Sequence, residues 1–192
     1  IRSQYNYALK KDTGHYTKNI LIVELGRNFK GYSAFINSIK SSPNIIMAAG
    51  VMRGLPMLGW ASTMYPHFQN PETKIKVESL AVDYNFIKTM GIPITAGREF
   101  SEEYGSDLAQ SVMLNETAVK ALGSHDPIGQ KLGHSNIIGI VKDFNLHSIH
   151  TDIPPLAIHM TDRYIQQVAV HYKPETLDNI LPFIEAEWKK AA

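Results

Sequence analysis

The histidines in the last third of the sequence come nearest to the spacing of a metal site. His147, His150 and Asp152 form the pattern H-x-x-H-x-D, and imidazoles and carboxylates are ligands that zinc takes in proteins. The segment runs into Pro154 and Pro155, which disfavours a helix that would place both imidazoles on one face. We therefore interpret these residues as turn histidines and expect no metal. The alternative is a metal-dependent hydrolase that uses the three side chains.

Acid–base and nucleophilic chemistry have weaker signals in this sequence. Glu102, Glu103 and Asp107 are interpreted as residues at a helix N-terminus, where carboxylates complement the helix dipole. Asp143 follows a predicted strand and is typical of a turn or an Asx cap. Arg98 is expected to pair with a nearby glutamate or to bind a backbone carbonyl. Because no G-x-S-x-G motif and no glycine-rich phosphate loop occurs, we expect no catalytic residue and no cofactor site.

The composition excludes several classes of protein. The 192 residues carry 19 basic and 18 acidic side chains, a net charge of +1, and no basic block that would indicate nucleic acid as a partner. The absence of cysteine excludes disulfides and thiolate chemistry. Since 44% of residues are hydrophobic, the chain can build a core, yet no apolar run approaches the roughly 18 residues that span a bilayer.

Hydrophobic periodicity predicts an α+β protein. We predict helices at 1–11, 28–40, 111–123 (its second half) and from Pro174 onwards. Predicted strands cover 19–25, 44–52, 74–82, 136–144, 155–160 and 166–173. Strand, helix and strand over 19–52 indicate a βαβ or split βαβ unit, and 53–73 is expected to be a long loop or an irregular hairpin.

Residues 83–100 are well provided with start and stop signals. Asp83 can cap a short helix whose buried face carries Phe86, Ile87 and Met90. Gly91 is expected to end that helix, and a glycine at 97 allows a turn before Arg98. Such a segment has a clear structure and no evident chemistry.

Methionine and aromatic residues are concentrated between 52 and 68. Flexible methionines and large aromatics on a loop form an adaptable apolar surface, so we predict a substrate or partner surface here. An alternative, which the sequence leaves open, is that the loop folds back and covers the core. The residues of this predicted partner surface are Met52, Leu55, Met57, Leu58, Trp60, Met64, Tyr65 and Phe68.

Four segments, in this order and spacing, resemble one protein family. They are VESLAVDYNFIKTMGIPITAGREFSEEY (77–104), SVMLNETAVKALG (111–123), DPIGQKLG (126–133) and NIIGIVKDFNLHSIH (136–150). The resemblance is to the extracytoplasmic core domain of MacB-type and FtsX-type ABC transporter permeases, and in style to those of Bacteroidetes-like bacteria. The positions that match the family's structural motifs are Asp83, Gly91, Gly97, Arg98, Phe100, Asn115, Gly129, Asp143 and Phe144.

The resemblance implies a domain that is not an enzyme. It implies a βαβ-type subdomain formed by the two chain ends (1–73 and 161–192) with an inserted mixed α/β subdomain (74–160). The domain would lie outside the cell inner membrane, between two transmembrane helices, so that the ends of this sequence would be cuts near those helices. Implied partners are the chain's own transmembrane helices, a second permease protomer, a cytoplasmic ATPase and a periplasmic adaptor or substrate. A free-standing periplasmic binding or adaptor protein is a further alternative.

Overall fold

A computed structural model describes residues 18–27, 29–52, 61–144 and 152–192. The predicted helix at 1–11 lies outside these residues. The described part forms ten strands: β1 (Ile20–Glu24), β2 (Ile45–Val51), β3 (Ser62–Pro66), β4 (Lys74–Val82), β5 (Ile94–Gly97), β6 (Ser111–Asn115), β7 (Lys131–Leu132), β8 (Ser135–Val141), β9 (Leu156–Met160) and β10 (Gln167–Tyr172). Its five helices are α1 (Tyr32–Lys40), α2 (Phe86–Met90), α3 (Asp107–Gln110), α4 (Glu116–Leu122) and α5 (Leu177–Ala191). The α+β class is confirmed.

All ten strands belong to one mixed sheet. Its order is β1-β10-β2-β4-β9-β6-β8-β5, with β3 paired to β4 and β7 paired to β8. Strand β10 lies antiparallel between β1 and β2, so the chain segment 19–52 is a split βαβ unit, as predicted. The pairing of β3 with β4 shows that 53–73 supplies the first strand of a hairpin whose second strand is β4.

Strand alternation divides the core of the first three strands between two faces. Ala48 and Val168 face α1 and α5, in a cluster completed by Phe35, Ile39, Ile180 and Ile184. Their neighbours Ala49 and Ala169 face the opposite side, where they belong to the cluster of α2. Successive residues of a strand point to opposite faces, so α2 covers the face of β2 and β10 that α1 and α5 leave open.

Two predicted helix starts are wrong. Helix α1 begins at Tyr32 rather than at 28, because the chain before it packs on α5: the Phe29 ring stacks on Trp188 at 6.0 Å. Helix α5 begins at Leu177 rather than at Pro174, because Glu175 has a φ of 62°, which a right-handed helix cannot contain.

Nothing in the fold tests the predicted division into two subdomains, which stays a prediction. The α2 cluster joins residues from both predicted parts, among them Ala49, Leu80 and Ala169. In the described ranges, no helix has the length and apolarity that a bilayer span requires.

Candidate functional site

Asp83 holds together three segments that are distant in sequence. Its Oδ2 accepts hydrogen bonds from the Tyr32 hydroxyl at 2.5 Å and from the Gly50 amide at 2.7 Å. Its Oδ1 accepts a hydrogen bond from the Asn85 amide at 3.0 Å. We call Asp83, Tyr32 and Gly50 the Asp83 clasp. The prediction that Asp83 caps α2 is wrong, since Asn85 holds the N-cap position and makes no side-chain cap bond.

Partial burial sets the electrostatics of the Asp83 clasp. Removal from water raises the pKa of Asp83 above its usual range, although hydrogen bonds from Tyr32, Gly50 and Asn85 and the charge of Lys40 act in the opposite direction. Burial, followed by the charge of Asp83, raises the pKa of Tyr32 far above its usual value. The hydroxyl is therefore the proton donor and the carboxylate the acceptor.

Gly50 is required in the clasp because Tyr32 lies directly against the β2 backbone. A Cβ at position 50 would be 2.3 Å from the Tyr32 hydroxyl oxygen and 2.9 Å from a methyl carbon of Ile165. Any larger residue would push the tyrosine away from Asp83. The packing of the Tyr32 ring on β2 and its hydrogen bond to Asp83 therefore both depend on a glycine at position 50.

Helix α2 fulfils the prediction for its buried face. Phe86, Ile87 and Met90 are buried, and they share their cluster with strand residues from β2, β4, β9 and β10. Gly91 ends the helix in the left-handed conformation with a φ of 62°, as predicted. Residues 83–91 therefore join the carboxylate of the Asp83 clasp to the buried apolar face of α2, which packs on the sheet.

Arg98 forms an ion pair that the sequence analysis did not predict. Its guanidinium binds both carboxylate oxygens of Asp107, at 2.6 and 2.8 Å, and lies 4.0 Å from the centre of the Tyr104 ring. The predicted carbonyl contact exists, on Glu99 at 3.0 Å. The predicted glutamate partner is wrong, because Glu99 pairs with Lys88 instead.

Asp107 is the centre of this second node, which we call the Asp107 node. Besides Arg98 it accepts hydrogen bonds from the Ser101 amide at 2.9 Å and from the Ser111 hydroxyl at 2.8 Å. Burial alone would raise its pKa, but Arg98, Ser101 and Ser111 together bring the pKa below the usual value. The prediction that Asp107 lies at a helix N-terminus is confirmed, since Asp107 is the first residue of α3. Its carboxylate binds Arg98, Ser101 and Ser111 and does not act as the N-cap, a position that Ser106 holds.

Gly97 permits the close approach of β5 and β8 next to the Asp107 node. Its φ is 71°, and a Cβ there would lie 2.2 Å from the Ile138 carbonyl oxygen. Phe100 follows and is buried in the α2 cluster. Gly97 is the last residue of β5 and pairs with Gly139 of β8, so the predicted turn before Arg98 is wrong. The positive φ accounts for the glycine.

Asn115 and Asp143 both bind the first turn of α4. The Asn115 side chain accepts a hydrogen bond from the Ala118 amide at 2.9 Å, the predicted cap. It also accepts one from the Leu156 amide and donates one to the Pro154 carbonyl. Asp143 accepts hydrogen bonds from the amide and hydroxyl of Thr117, at 3.0 and 2.7 Å. Asp143 therefore caps a helix 26 residues away, which corrects its interpretation as a local turn residue.

Two remaining motif positions have structural roles. Gly129 adopts a φ of 82°, and its amide donates to the Ile137 carbonyl at 2.8 Å. Phe144 is buried in the α2 cluster.

Glu102 and Glu103 are exposed and precede α3 by several residues, so their predicted place at a helix N-terminus is wrong.

The predicted partner surface lies only partly within the described residues. Leu55, Met57, Leu58 and Trp60 fall outside them. Of the others, Met64 is 56% exposed on β3, whereas Tyr65 and Phe68 pack against the cluster around α4. Met52 is half-buried and donates its amide to the Ala81 carbonyl at 2.9 Å. The described part of the segment thus combines one exposed side chain with two that cover core.

The predicted metal alternative also falls mostly outside the described residues. His147 and His150 are among those not described, and Asp152 is exposed. No group of three or more metal-ligating side chains occurs within the described ranges. His159, on β9, is half-buried, and burial lowers its pKa.

Three solved structures are similar to this chain. The periplasmic region of MacB from Actinobacillus actinomycetemcomitans is 14% identical, with a TM-score of 0.62 over 95% of this chain and 90% of that chain. This chain has the fold of that region. The extracellular domain of the noncanonic ABC-type transporter YknZ from Gram-positive bacteria is 11% identical, with a TM-score of 0.54 over 76% and 75% of the two chains.

The third similar structure is a domain of a protein described as a permease from Porphyromonas gingivalis. It is 16% identical, with a TM-score of 0.51 over 81% of this chain and 75% of that chain. Comparisons with protein-family models and with curated proteins find no match. At these identities the similarity establishes the fold, and this is the fold that the sequence resemblance predicted.

Proposed function

We propose that this chain is a non-catalytic extracytoplasmic domain of an ABC transporter permease. It would couple cytoplasmic ATP hydrolysis to export, or to work on a periplasmic substrate or partner. The observation that carries the proposal is the similarity to the MacB periplasmic region, which extends over 95% of this chain. Because one fold can serve several functions, the internal contacts must also suit a mechanical role.

The packing of α5 supports a mechanical role. This 15-residue helix lies on β1, β10 and β2, which we call the first strand group. Ile180 and Ile184 are buried there in the cluster shared with α1. On the opposite face of the same strands, α2 is held by the rest of the sheet. The remaining strands, β3 to β9, form the second strand group. A displacement that enters through α5 therefore reaches the second strand group through packed contacts, as rigid-body movement requires.

The proposed partners follow from the permease assignment. They are the protein's own transmembrane helices, a second protomer and a cytoplasmic ATPase, with a periplasmic adaptor or substrate outside the inner membrane. The proposed subdomains remain 1–73 with 161–192, and 74–160. Between the two proposed parts, β2 and β4 share one registered pair, Val51 with Val82, whereas β3, which belongs to 1–73, shares five pairs with β4.

Full-length sequence and co-purification test the proposal. We expect the complete gene to encode an apolar span of about 20 residues before residue 1, and further spans after residue 192. The intact protein, extracted in detergent, is expected to co-purify with an ATPase subunit. A gene product without spans that is recovered free in the periplasm would support a binding or adaptor protein instead.

The hydrolase alternative is tested by metal analysis. Stoichiometric zinc in the purified chain, lost in a variant with His147→Ala and His150→Ala, would favour it over the permease domain. Metal content that does not change between wild type and variant would eliminate it.

We also propose that Met64 contributes to a partner surface. A photo-crosslinking residue at 64 in the intact protein is expected to give a discrete crosslinked product. Ile46 provides a matched control, since it is an apolar strand residue that is 48% exposed outside the segment. The same product at both positions, or none at 64, would contradict the assignment.

A further inference from the structure

The junction between β2 and β4 has few backbone contacts. In the described part of the chain, their ladder has one registered pair, Val51 with Val82. Hydrogen bonds from Met52 to Ala81 and from the Asp83 amide to the Gly50 carbonyl, both 2.9 Å, flank that pair. The ladders on either side are much longer, with six pairs between β10 and β2 and five between β4 and β9. The ladder that joins the two strand groups is therefore the shortest one along the sheet order.

Apolar packing also crosses the junction, through α2. Phe86, Ile87 and Met90 contact a cluster that contains residues of both strand groups. Apolar attraction is strong but has no preferred direction. Packed elements can consequently slide over one another by small shear movements while they remain buried.

The Asp83 clasp supplies directional contacts at the same place. One carboxylate oxygen accepts from Tyr32 at the start of α1 and from Gly50 on β2, and Asp83 itself follows β4. Hydrogen bonds weaken steeply when their geometry departs from a narrow range. Because Gly50 has no Cβ, the Tyr32 hydroxyl lies directly against the β2 backbone; a Cβ built there would be 2.3 Å from its oxygen.

We propose that the Asp83 clasp locks the two strand groups in one relative orientation. Its removal leaves the apolar packing intact and frees the groups to shear. The relevance to transport rests on the proposed function, because movement would enter through α5 on one group and be used on the other. The orientation itself is a property of this chain and is measurable without transport.

Pulsed electron–electron distance measurements test the lock directly. The chain has no cysteine, so Asn37→Cys on α1 and Lys120→Cys on α4, both exposed, take spin labels at defined positions. The parent pair is expected to give one narrow distance distribution. Tyr32→Phe, which removes only the hydroxyl, is expected to widen the distribution about twofold by releasing shear, and Asp83→Asn to widen it further.

Two controls separate the lock from general destabilisation. Tyr65→Phe removes a tyrosine hydroxyl on β3, and Asp107→Asn breaks the other buried carboxylate node; both should leave the width unchanged. An unchanged width in Tyr32→Phe would overturn the proposal, as would equal widening in the controls. If Asp83→Asn does not fold, Tyr32→Phe decides alone.

The outcome is independent of the permease assignment. A widened distribution in a protein whose gene encodes no membrane span would support the lock and refute the permease. An unchanged distribution in a protein that co-purifies with its ATPase would do the reverse.

Discussion

The carboxylates of Asp83 and Asp107 each accept several hydrogen bonds, but their pKa values shift in opposite directions. Asp83 receives its hydrogen bonds from a hydroxyl and two backbone amides, and burial raises its pKa. Asp107 is fully buried, yet the bidentate Arg98 contact and two further donors lower its pKa. At Asp83, hydrogen bonds from uncharged donors do not offset the effect of burial on the pKa. At Asp107, the charge of Arg98 together with two further hydrogen bonds more than offsets it.

The two sites also differ in what they connect. The Asp107 node closes a local loop, since Arg98, Ser101 and Ser111 all lie within nine residues of Asp107. The Asp83 clasp spans 51 residues to Tyr32 and 33 residues to Gly50. The ion pair therefore secures a local loop, whereas the hydrogen bonds of the Asp83 clasp join segments that are distant in sequence.

The largest expected effect comes from removing the cation of the Asp107 node. Arg98→Met leaves a fully buried carboxylate without its counter-charge, and we expect a loss of about 3–5 kcal/mol in the free energy of unfolding. Asp107→Asn leaves a guanidinium whose side chain is 36% exposed and can be hydrated, so a smaller loss of about 1–3 kcal/mol is expected. Urea denaturation measures both.

The inequality between these two variants is the critical result. A loss for Arg98→Met that does not exceed the loss for Asp107→Asn would show that the carboxylate depends little on its cation. The contrast drawn between the two aspartates would then be wrong.

A second prediction concerns the pH dependence of stability. Asp107 has a folded pKa below the usual 3.8, so its contribution is complete above that value and is lost as the pH falls through the folded pKa. Asp83 has a folded pKa above 3.8. Over the interval between 3.8 and that raised pKa, the folded state holds the extra proton, and stability falls as the pH rises.

Variants separate the two contributions. Asp107→Asn should flatten the rise of the unfolding free energy with pH below 3.8, and Asp83→Asn should flatten the fall above it. Unfolding free energies across this range, or the carboxyl carbon shifts of each aspartate by NMR, provide the measurement. The same direction of change in both variants would remove the distinction.

Local signals in the sequence were sufficient for much of the fold. Asn115 three residues before Ala118, and glycines at 91 and 123 after apolar runs, are cap patterns within one turn of a helix, and all three caps are present. Strand alternation over 74–82 likewise predicted β4, and Val77, one of the residues on its predicted inner face, is buried. These predictions depend only on near neighbours along the chain.

The distant partners of two aspartates could not be found in this way. Asp83 and Asp143 each stand where a local cap is plausible, and each binds a segment distant in sequence once the chain has folded. Tyr32 belongs to the apolar face of α1, and a hydrophobic pattern gives no information about the hydrogen-bond partner of its hydroxyl. Contacts between distant segments follow from the sheet order, which single-sequence periodicity does not determine.

Asp143 offers the smallest and finest test of the comparison. Like Asp83 it accepts from neutral donors, the amide and hydroxyl of Thr117, but these lie at a helix N-terminus, which carries partial positive charge. Asp143→Ala should cost about 0.5–2 kcal/mol of unfolding free energy, as removed caps do. Asp143→Asn keeps a hydrogen-bond acceptor and should cost only about 0.3–1 kcal/mol, which is the part of the stabilisation that comes from attraction between the carboxylate charge and the helix dipole.

The exposed Asp126 gives a matched control for Asp143, and Asp126→Ala should leave stability unchanged within error. The decisive quantity is the salt dependence of the Asp143→Asn loss. Because charge–dipole attraction is screened by salt, the loss should shrink at high ionic strength, whereas a loss due to hydrogen-bond geometry would persist. A persistent loss would place Asp143 with Asp83, as a carboxylate that acts through its neutral donors rather than through its charge.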